Sequence, residues 1–394
     1  MSRMIGTVSR GVRAPIIRGG DNLVDIVTEA ILEAAKDGGY EIRNRDIVAM
    51  TESIVARAQE NYVTIDDIAT DVRNKFGGET VGLVFPILSR NRFSVCLTGI
   101  ARGAKKVIIM LSYPSDEVGN HLISFDAIDA AGINPYSDVL DIKRYRECFG
   151  HEKHRFTGVD YVEYYEQLVR AEGADCEIIF ANDARAILNY TDNVLCCDIH
   201  TRARSKRLLK AAGAKTVYGL DDIMSAPING SGYNENYGLL GSNKATDNKV
   251  KLFPRDCQGL VEGIQERVLK ETGKLIEVMV YGDGAFKDPV GKIWELADPV
   301  VSPAYTKGLE GTPNELKLKY LADNDFANLS GAELRAAIEE KIAHKDAKQE
   351  GQMGTTPRRL TDLIGSLCDL TSGSGDKGTP IVYIQGYFDN YTTE

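Results

Sequence analysis

Apolar positions along the chain change rhythm twice. In the first stretch, 1–90, Leu23, Ile26, Val27, Ala30, Ile31 and Ala34 recur at three- and four-residue spacing. That spacing predicts a helix with one apolar face, which Asp21 or Asn22 is placed to cap. The run 46–51 predicts a strand. Thr64 followed three residues later by Asp67 is a capping-box pattern for a helix reaching about Phe76, and Gly77 and Gly78 end it.

Between 91 and 223 short continuous apolar runs alternate with helical patterns. The runs are 106–111, 177–180, 193–198 and 215–218; helices are expected near 160–172, 184–190 and 202–212. Strands without polar alternation, separated by helices, predict a parallel sheet covered on both faces. From about 226 the pattern changes again. A Gly/Asn-rich segment precedes a helix at 258–272 and a strand at 276–281. Ser330 and Glu333 form a second capping-box pattern, for a polar helix running to about Lys348 and into a surface loop at 349–354. A last helix, about 358–370, leads through a Gly/Ser loop to a strand at 380–385. The expected fold is α+β: a core from 1–90 and 226–394, with an inserted α/β, Rossmann-like layer at 91–225.

Composition narrows the class. At 394 residues the chain exceeds one small core. With 43% hydrophobic and 26% charged residues it is globular in balance. A net charge of −10 argues against non-specific nucleic-acid binding. No apolar run approaches the ~18 residues of a membrane span, and the arginine-bearing start lacks an apolar targeting region. Seven scattered cysteines without CxxC read as reduced, buried thiols in a cytoplasmic protein.

The sharpest chemical cluster is YGDGAFKDP at 281–289. Asp283 lies just past an apolar strand, where ligands gather in open sheets. Asp283 and Asp288 are hard oxygen donors suited to Mg²⁺ or Mn²⁺, Glu295 and Asp298 follow closely, and Lys287 offsets phosphate charge. Asp-Gly alone is a common turn signal; the preceding strand and the density of carboxylates make it a candidate site. NGSGY at 229–233 with YGLLGSN at 237–243, and TSGSGDKGT at 371–379, expose successive backbone N–H groups that suit anions, although neither has P-loop spacing. In TTPRR at 355–359, Arg358 or Arg359 is placed to hold a carboxylate or phosphate. His151 and His154 lack a metal-binding spacing. In CDIHTRAR at 197–204, Asp198 and His200 stand at a strand end, loosely like a phosphoribosyl-binding turn without its paired acids and glycine.

Three separated blocks resemble the coenzyme F-420 γ-glutamyl ligase family. IRGGDNL at 17–23 with RDIVAMTESIVARA at 45–58 resembles the family's opening "GDDL" and "GDVLVVTQKIVSKAEG". GSN at 241–243, KLFPRD at 251–256 and VYGD at 280–283 resemble "NAGIDxSN", "LLLPxDP" and "SDTFGR". Asp362 and SGSGDKGTPIVYIQG at 372–386 resemble "ADE…MGKADGIPVVLVRG". The resemblance implies a GTP-dependent ligase with two divalent ions, Mg²⁺ or Mn²⁺, that passes the γ-phosphate to an acceptor carboxylate. The acyl phosphate then meets the amine of L-glutamate. The acceptor is coenzyme F-420-0 or a related carboxylate such as a folate, and the family implies a homodimer of intertwined sheets.

Residue by residue, Asp283 falls on the metal-binding aspartate of "SDTFGR", and Lys287 stands near its arginine. Ser242 and Asn243 match "SN", and Ser372, Gly373, Ser374, Gly375 and Asp376 supply a nucleotide loop. Arg358 with Lys287 forms the catalytic pair, and Asp288 is the further metal candidate. The family's other metal aspartate falls on Leu240, so Asp247, Asp256 or Asp288 would have to replace it. Two other readings remain open. One is a phosphoribosyl-type transferase in which Asp198 and the 201–205 turn matter more than Asp283. The other is a nucleotide-binding regulator without turnover.

Overall fold

The computed structural model describes residues 4–154, 157–283, 300–345, 358–372, 376–390 and 393, with the backbone alone at 283, 300 and 301. Fourteen strands run along them: β1 (Val8–Val12), β2 (Ile47–Thr51), β3 (Tyr62–Thr64), β4 (Thr80–Val84), β5 (Lys106–Leu111), β6 (Leu140–Asp141), β7 (Asp175–Phe180), β8 (Asn193–Cys196), β9 (Thr216–Gly219), β10 (Asn243–Thr246), β11 (Lys249–Lys251), β12 (Glu277–Asp283), β13 (Val300–Tyr305) and β14 (Ile381–Gln385). The chain forms two compact units, Met1–Ala58 with Asp256–Glu394, and Gln59–Arg255. With several sheets and helices in both units, the fold is α+β, as expected.

In the first unit a five-stranded sheet has the order β1-β14-β2-β12-β13. β2 and β12 are parallel; every other pairing is antiparallel. Successive residues of β2 serve opposite faces, as the two-residue pleat requires. Val48 and Met50 join a core with Val27 and Ile31 of the helix Leu23–Asp37 and Val261, Ile264 and Val268 of the helix Gln258–Thr272. Ile47 and Ala49 face the other way, onto Ile364 and Cys368 of the helix Leu360–Ser372. Both faces of β2 are therefore dry, which is why its sequence is apolar without interruption. Each fully buried large side chain here is stabilising by about 1.5–3 kcal/mol.

In the second unit a six-stranded sheet has the order β6-β7-β5-β4-β8-β9, parallel except for the short edge strand β6. β10, β11 and β3 form a separate antiparallel sheet. The helices Ile65–Phe76 and Phe93–Gly103 pack at small residues. A Cβ on Gly99 would lie 2.7 Å from Ile68 Cβ, and one on Gly103 would lie 2.6 Å from the Ala69 carbonyl oxygen.

Some local expectations are met and some are corrected. Asn22 caps its helix, and the Thr64–Asp67 capping box forms with both reciprocal bonds. Ser330 occupies an N-cap position but makes no side-chain cap bond, so the second capping box does not form. That helix is Gly331–Ala343, and its expected continuation to about 348 and the loop 349–354 fall outside the described residues. The segment 184–190 is a 3₁₀ helix, Ala184–Asn189, started by the Asp183 side chain accepting the Arg185 N–H. In the second unit β4, at the centre of its sheet, precedes residue 91, and β10 and β11 follow 225. Among the described residues no helix is long and apolar enough to cross a membrane.

Candidate active site

Because β2 and β12 are parallel neighbours, their carboxyl ends share one edge of the first unit's sheet. Thr51 pairs with Tyr281, two residues before Asp283. β14 runs the other way, so the segment entering it reaches the same edge: the Thr51 N–H donates to the Pro380 carbonyl oxygen at 3.0 Å. The end of the helix Leu360–Ser372 closes over it. The Thr379 hydroxyl donates to the Ser372 carbonyl oxygen at 2.9 Å. Burial drives the Tyr281 hydroxyl well above the usual tyrosine range, with nearby Ser372 acting against it. The topology therefore brings the Asp283 backbone, Ser372 and the Asp376 turn to one edge. Asp376 is exposed there, whereas Ser372 is buried.

Lys287, Asp288, Gly373, Ser374 and Gly375 lie outside the described residues. Arg358 is buried just before the helix that Ser372 ends. The thirteen-residue helix Leu360–Ser372 separates them by roughly 20 Å, so Arg358 and Ser372 do not grip the same phosphate. Ser242 and Asn243 belong to the second unit. Ser242 is buried with its hydroxyl 3.6 Å from the Cys96 sulfur, and Asn243 opens β10 opposite Lys251. Gly241 before them has φ +68°, and a Cβ there would strike the Phe253 ring at 2.6 Å, so both backbone and packing require glycine.

The position of the second family aspartate is apolar in environment as well as in identity. Leu240 is 3% exposed. Asp247 is fully exposed and paired with Lys244 at 2.7 Å, and Asp256 is exposed with φ +52°. The carboxylate that sequence reasoning missed is Glu52. It follows Thr51 directly, begins the helix Glu52–Ala58, and is 3% exposed at the end of the strand beside β12. The available signal was an acid immediately after an apolar strand, in the block that resembles the family opening. Glu52 and Asp256 both act on Cys257, whose thiol burial has already pushed up to about 12. Five of the seven cysteines are buried, and burial pushes up the thiols of Cys96, Cys196, Cys197 and Cys368 as well. Those thiols are protonated at neutral pH and are poor nucleophiles.

His151, Asp160 and Glu163 converge, but Arg146 lies 2.8 Å from Asp160 and already supplies positive charge. Asp160 also caps the helix Tyr161–Ala171. This cluster is an ion-pair network that holds a helix start. In the first unit a groove of about 1090 Å³ runs between β1 and the helix Leu23–Asp37, lined by Arg10, Arg13, Glu29, Glu33, Lys377 and Thr379. It borders the loop that enters β14, and its charges are mixed.

No curated protein matches the chain. The protein-family model described as F420-0:Gamma-glutamyl ligase matches residues 11–386, which takes in β2 to β14, all of the second unit, most of the first and the strand end at Asp283. On that match, which extends far beyond the three blocks that first suggested it, the chain belongs to the F420-0:gamma-glutamyl ligase family.

Proposed function

We propose that this γ-glutamyl ligase is GTP-dependent and joins L-glutamate to coenzyme F-420-0, or to a related carboxylate such as a folate, through an acyl phosphate. The observation that carries the reading is the family match from 11 to 386, with Asp283 on the motif position for a metal-binding aspartate. In the first step an acceptor carboxylate oxygen attacks the γ-phosphorus, the bond to the β–γ bridging oxygen breaks, and GDP leaves. In the second the glutamate amine attacks the acyl carbon, the C–N bond forms, phosphate departs with the C–O electron pair, and the amine proton is lost.

The chemistry of the donor set fits Mg²⁺ or Mn²⁺: Asp283 ends β12, and Glu52 is a buried carboxylate at the end of the adjacent parallel strand. Glu52 takes the part that Leu240 cannot. When bound, the ions neutralise charge on the triphosphate and on the transferred phosphoryl group. Lys287 offsets the same charge. The loop Ser372–Asp376 holds phosphate oxygens through its backbone N–H groups. A homodimer is part of this reading, and light scattering on the purified chain tests it.

The decisive experiment is thermal unfolding with GTP and Mn²⁺, and with ATP and Mn²⁺, in the wild type and Asp283→Asn. A ligand at ~100 times its dissociation constant stabilises by about 2.7 kcal/mol. A metal-dependent GTP shift that disappears in Asp283→Asn supports the reading; no shift with either nucleotide sinks it. The buried Leu240 favours one alternative, nucleotide binding without turnover, which predicts the shift but no GDP release with any acceptor and glutamate.

A further inference from the structure

The second unit carries a ligand-site geometry apart from the residues assigned to the ligase reaction. Its five parallel strands, taken in chain order as β4, β5, β7, β8 and β9, lie in the spatial order third, second, first, fourth, fifth. This is the doubly wound arrangement, and its order reverses between β4 and β8. Ligands in such sheets bind beyond the strand carboxyl ends at that reversal. The turn leaving β8 there, 197–201, leads into the ten-residue helix Arg202–Ala211.

That helix start is built for an anion. Thr201 at its N-cap makes no side-chain cap bond, the first turn holds no acidic residue, and Arg202 and Arg204 stand in it. Two arginines at a helix N-terminus oppose the helix dipole unless an anion lies beside them. Arg202 pairs with Asp221 at 3.0 Å, and the carboxylate that reaches the N–H groups of the turn itself is Glu117, from the loop that follows β5. Its carboxylate accepts the backbone N–H of Ile199 in a very short bond and that of His200 at 3.1 Å. The Thr201 hydroxyl lies 3.5 Å from it. To get there Glu117 crosses in front of β4, the strand between β5 and β8.

A second observation points to a ligand. Asp198 is 0% exposed, and one of its oxygens accepts the hydroxyls of Thr201 and Ser205, each at 2.7 Å. Its other oxygen, Oδ1, is buried and has no hydrogen-bond partner among the described residues. Leaving a carboxylate oxygen buried and unpaired is costly. Glu117 adds a second carboxylate beside the same Thr201 hydroxyl. A ligand with a phosphoryl group for the N–H cradle and a hydrogen-bond donor for Asp198 relieves both faults.

We propose that the turn between β8 and the helix Arg202–Ala211 is a second ligand site, which takes a phosphoryl group on the Ile199 and His200 N–H groups in place of the Glu117 carboxylate that closes it in the free chain. Glu117 is suited to leave. It is only half-buried, while its neighbour Asp116 pins the loop by accepting the N–H groups of Leu88, Val118 and Asn120. The Glu117 side chain can therefore swing out without unfolding its loop.

The test is calorimetric titration of the full chain with inorganic phosphate and with glycerol 3-phosphate, in the wild type, Glu117→Ala and Glu117→Gln. Removing the competing carboxylate should tighten phosphoryl binding by about tenfold or more in Glu117→Ala. Glu117→Gln keeps an oxygen for the two N–H groups and so keeps the turn capped; it should show a smaller gain in the same direction. Tighter binding of glycerol 3-phosphate assigns the site to a phosphorylated metabolite that offers Asp198 a hydroxyl, and equal or tighter binding of inorganic phosphate assigns it to the free ion. If neither folded variant binds either probe more tightly than the wild type, Glu117 is only a helix cap and the proposal is overturned.

Discussion

The Tyr383 hydroxyl, at the middle of β14, donates a hydrogen bond to the Asp46 carboxylate, which lies just before β2 and 337 residues away in sequence. Both residues are buried, and Asp46 also accepts the Gln385 side chain at 3.2 Å and the Arg43 N–H at 2.8 Å. On its ring side Tyr383 stacks against Tyr40, which in turn lies under the Arg10 guanidinium. Tyr383→Phe keeps the stack and removes one donor from a buried carboxylate, so it should cost about 1–3 kcal/mol. Urea unfolding followed by circular dichroism measures this, and an unchanged midpoint would show that the bond contributes nothing net.

Packing of the helices Ile65–Phe76 and Phe93–Gly103 depends on having no side chain at Gly99 and Gly103. A methyl group at Gly103 meets backbone, which cannot rotate away. Gly103→Ala should therefore destabilise by about 1–3 kcal/mol despite alanine's better helix propensity. Gly259→Ala, where the added Cβ meets nothing within 4 Å, is the control and should be neutral or stabilising. Thermal unfolding of the two variants side by side decides it.

Burial pushes the Glu117 carboxyl up to about 7, with the Ile199 N–H acting against the shift and the Asp198 charge adding to it. The folded chain then holds this proton more tightly than the unfolded one. The resulting stabilisation is complete below about 4.5, the unfolded value, and is lost as pH rises through about 7. Partial solvent access discounts the effect to the order of 2 kcal/mol. The difference in midpoint between wild type and Glu117→Gln should change across this window in that direction. A constant difference from pH 4.5 to 8 would contradict it.

If Glu52 shares the metal with Asp283, Glu52→Gln should raise the Mn²⁺ concentration needed for half-maximal ligase activity by about 10–100-fold, the range for disturbed metal ligation. Steady-state GDP release against Mn²⁺ concentration reads this directly. A fall in turnover with unchanged metal dependence would make Glu52 a structural residue of the helix Glu52–Ala58 instead.

Much of the local architecture was legible. The buried runs of β2, β5 and β8, the Asn22 cap and the Thr64–Asp67 capping box all depend on residues a few positions apart. β4 escaped notice because it is short and interrupted by Gly82. The reason for that glycine lies far along the chain: a Cβ there would meet Ile187 at 2.5 Å. The Ser330–Glu333 pattern misled because a capping motif allows the bonds without compelling them. For the candidate site, Asp283 and the loop 371–379 stood out by composition, but Glu52 did not: its place after an apolar strand was legible, whereas its burial depends on the distant groups packed against it.

The sequence by itself determined the helices and strands whose periodicity is strong, the burial of most of the cysteines, and the family, because each rests on local patterns or on motifs in order. Only the tertiary structure decided that β2 lies beside β12, that Glu52 is buried at their shared edge, and that Glu117 closes the turn after β8 from 82 residues away. The physical reason is that pleat, helix period and capping are short-range free energies. The cost or gain of placing a charge depends instead on which distant groups folding brings to it.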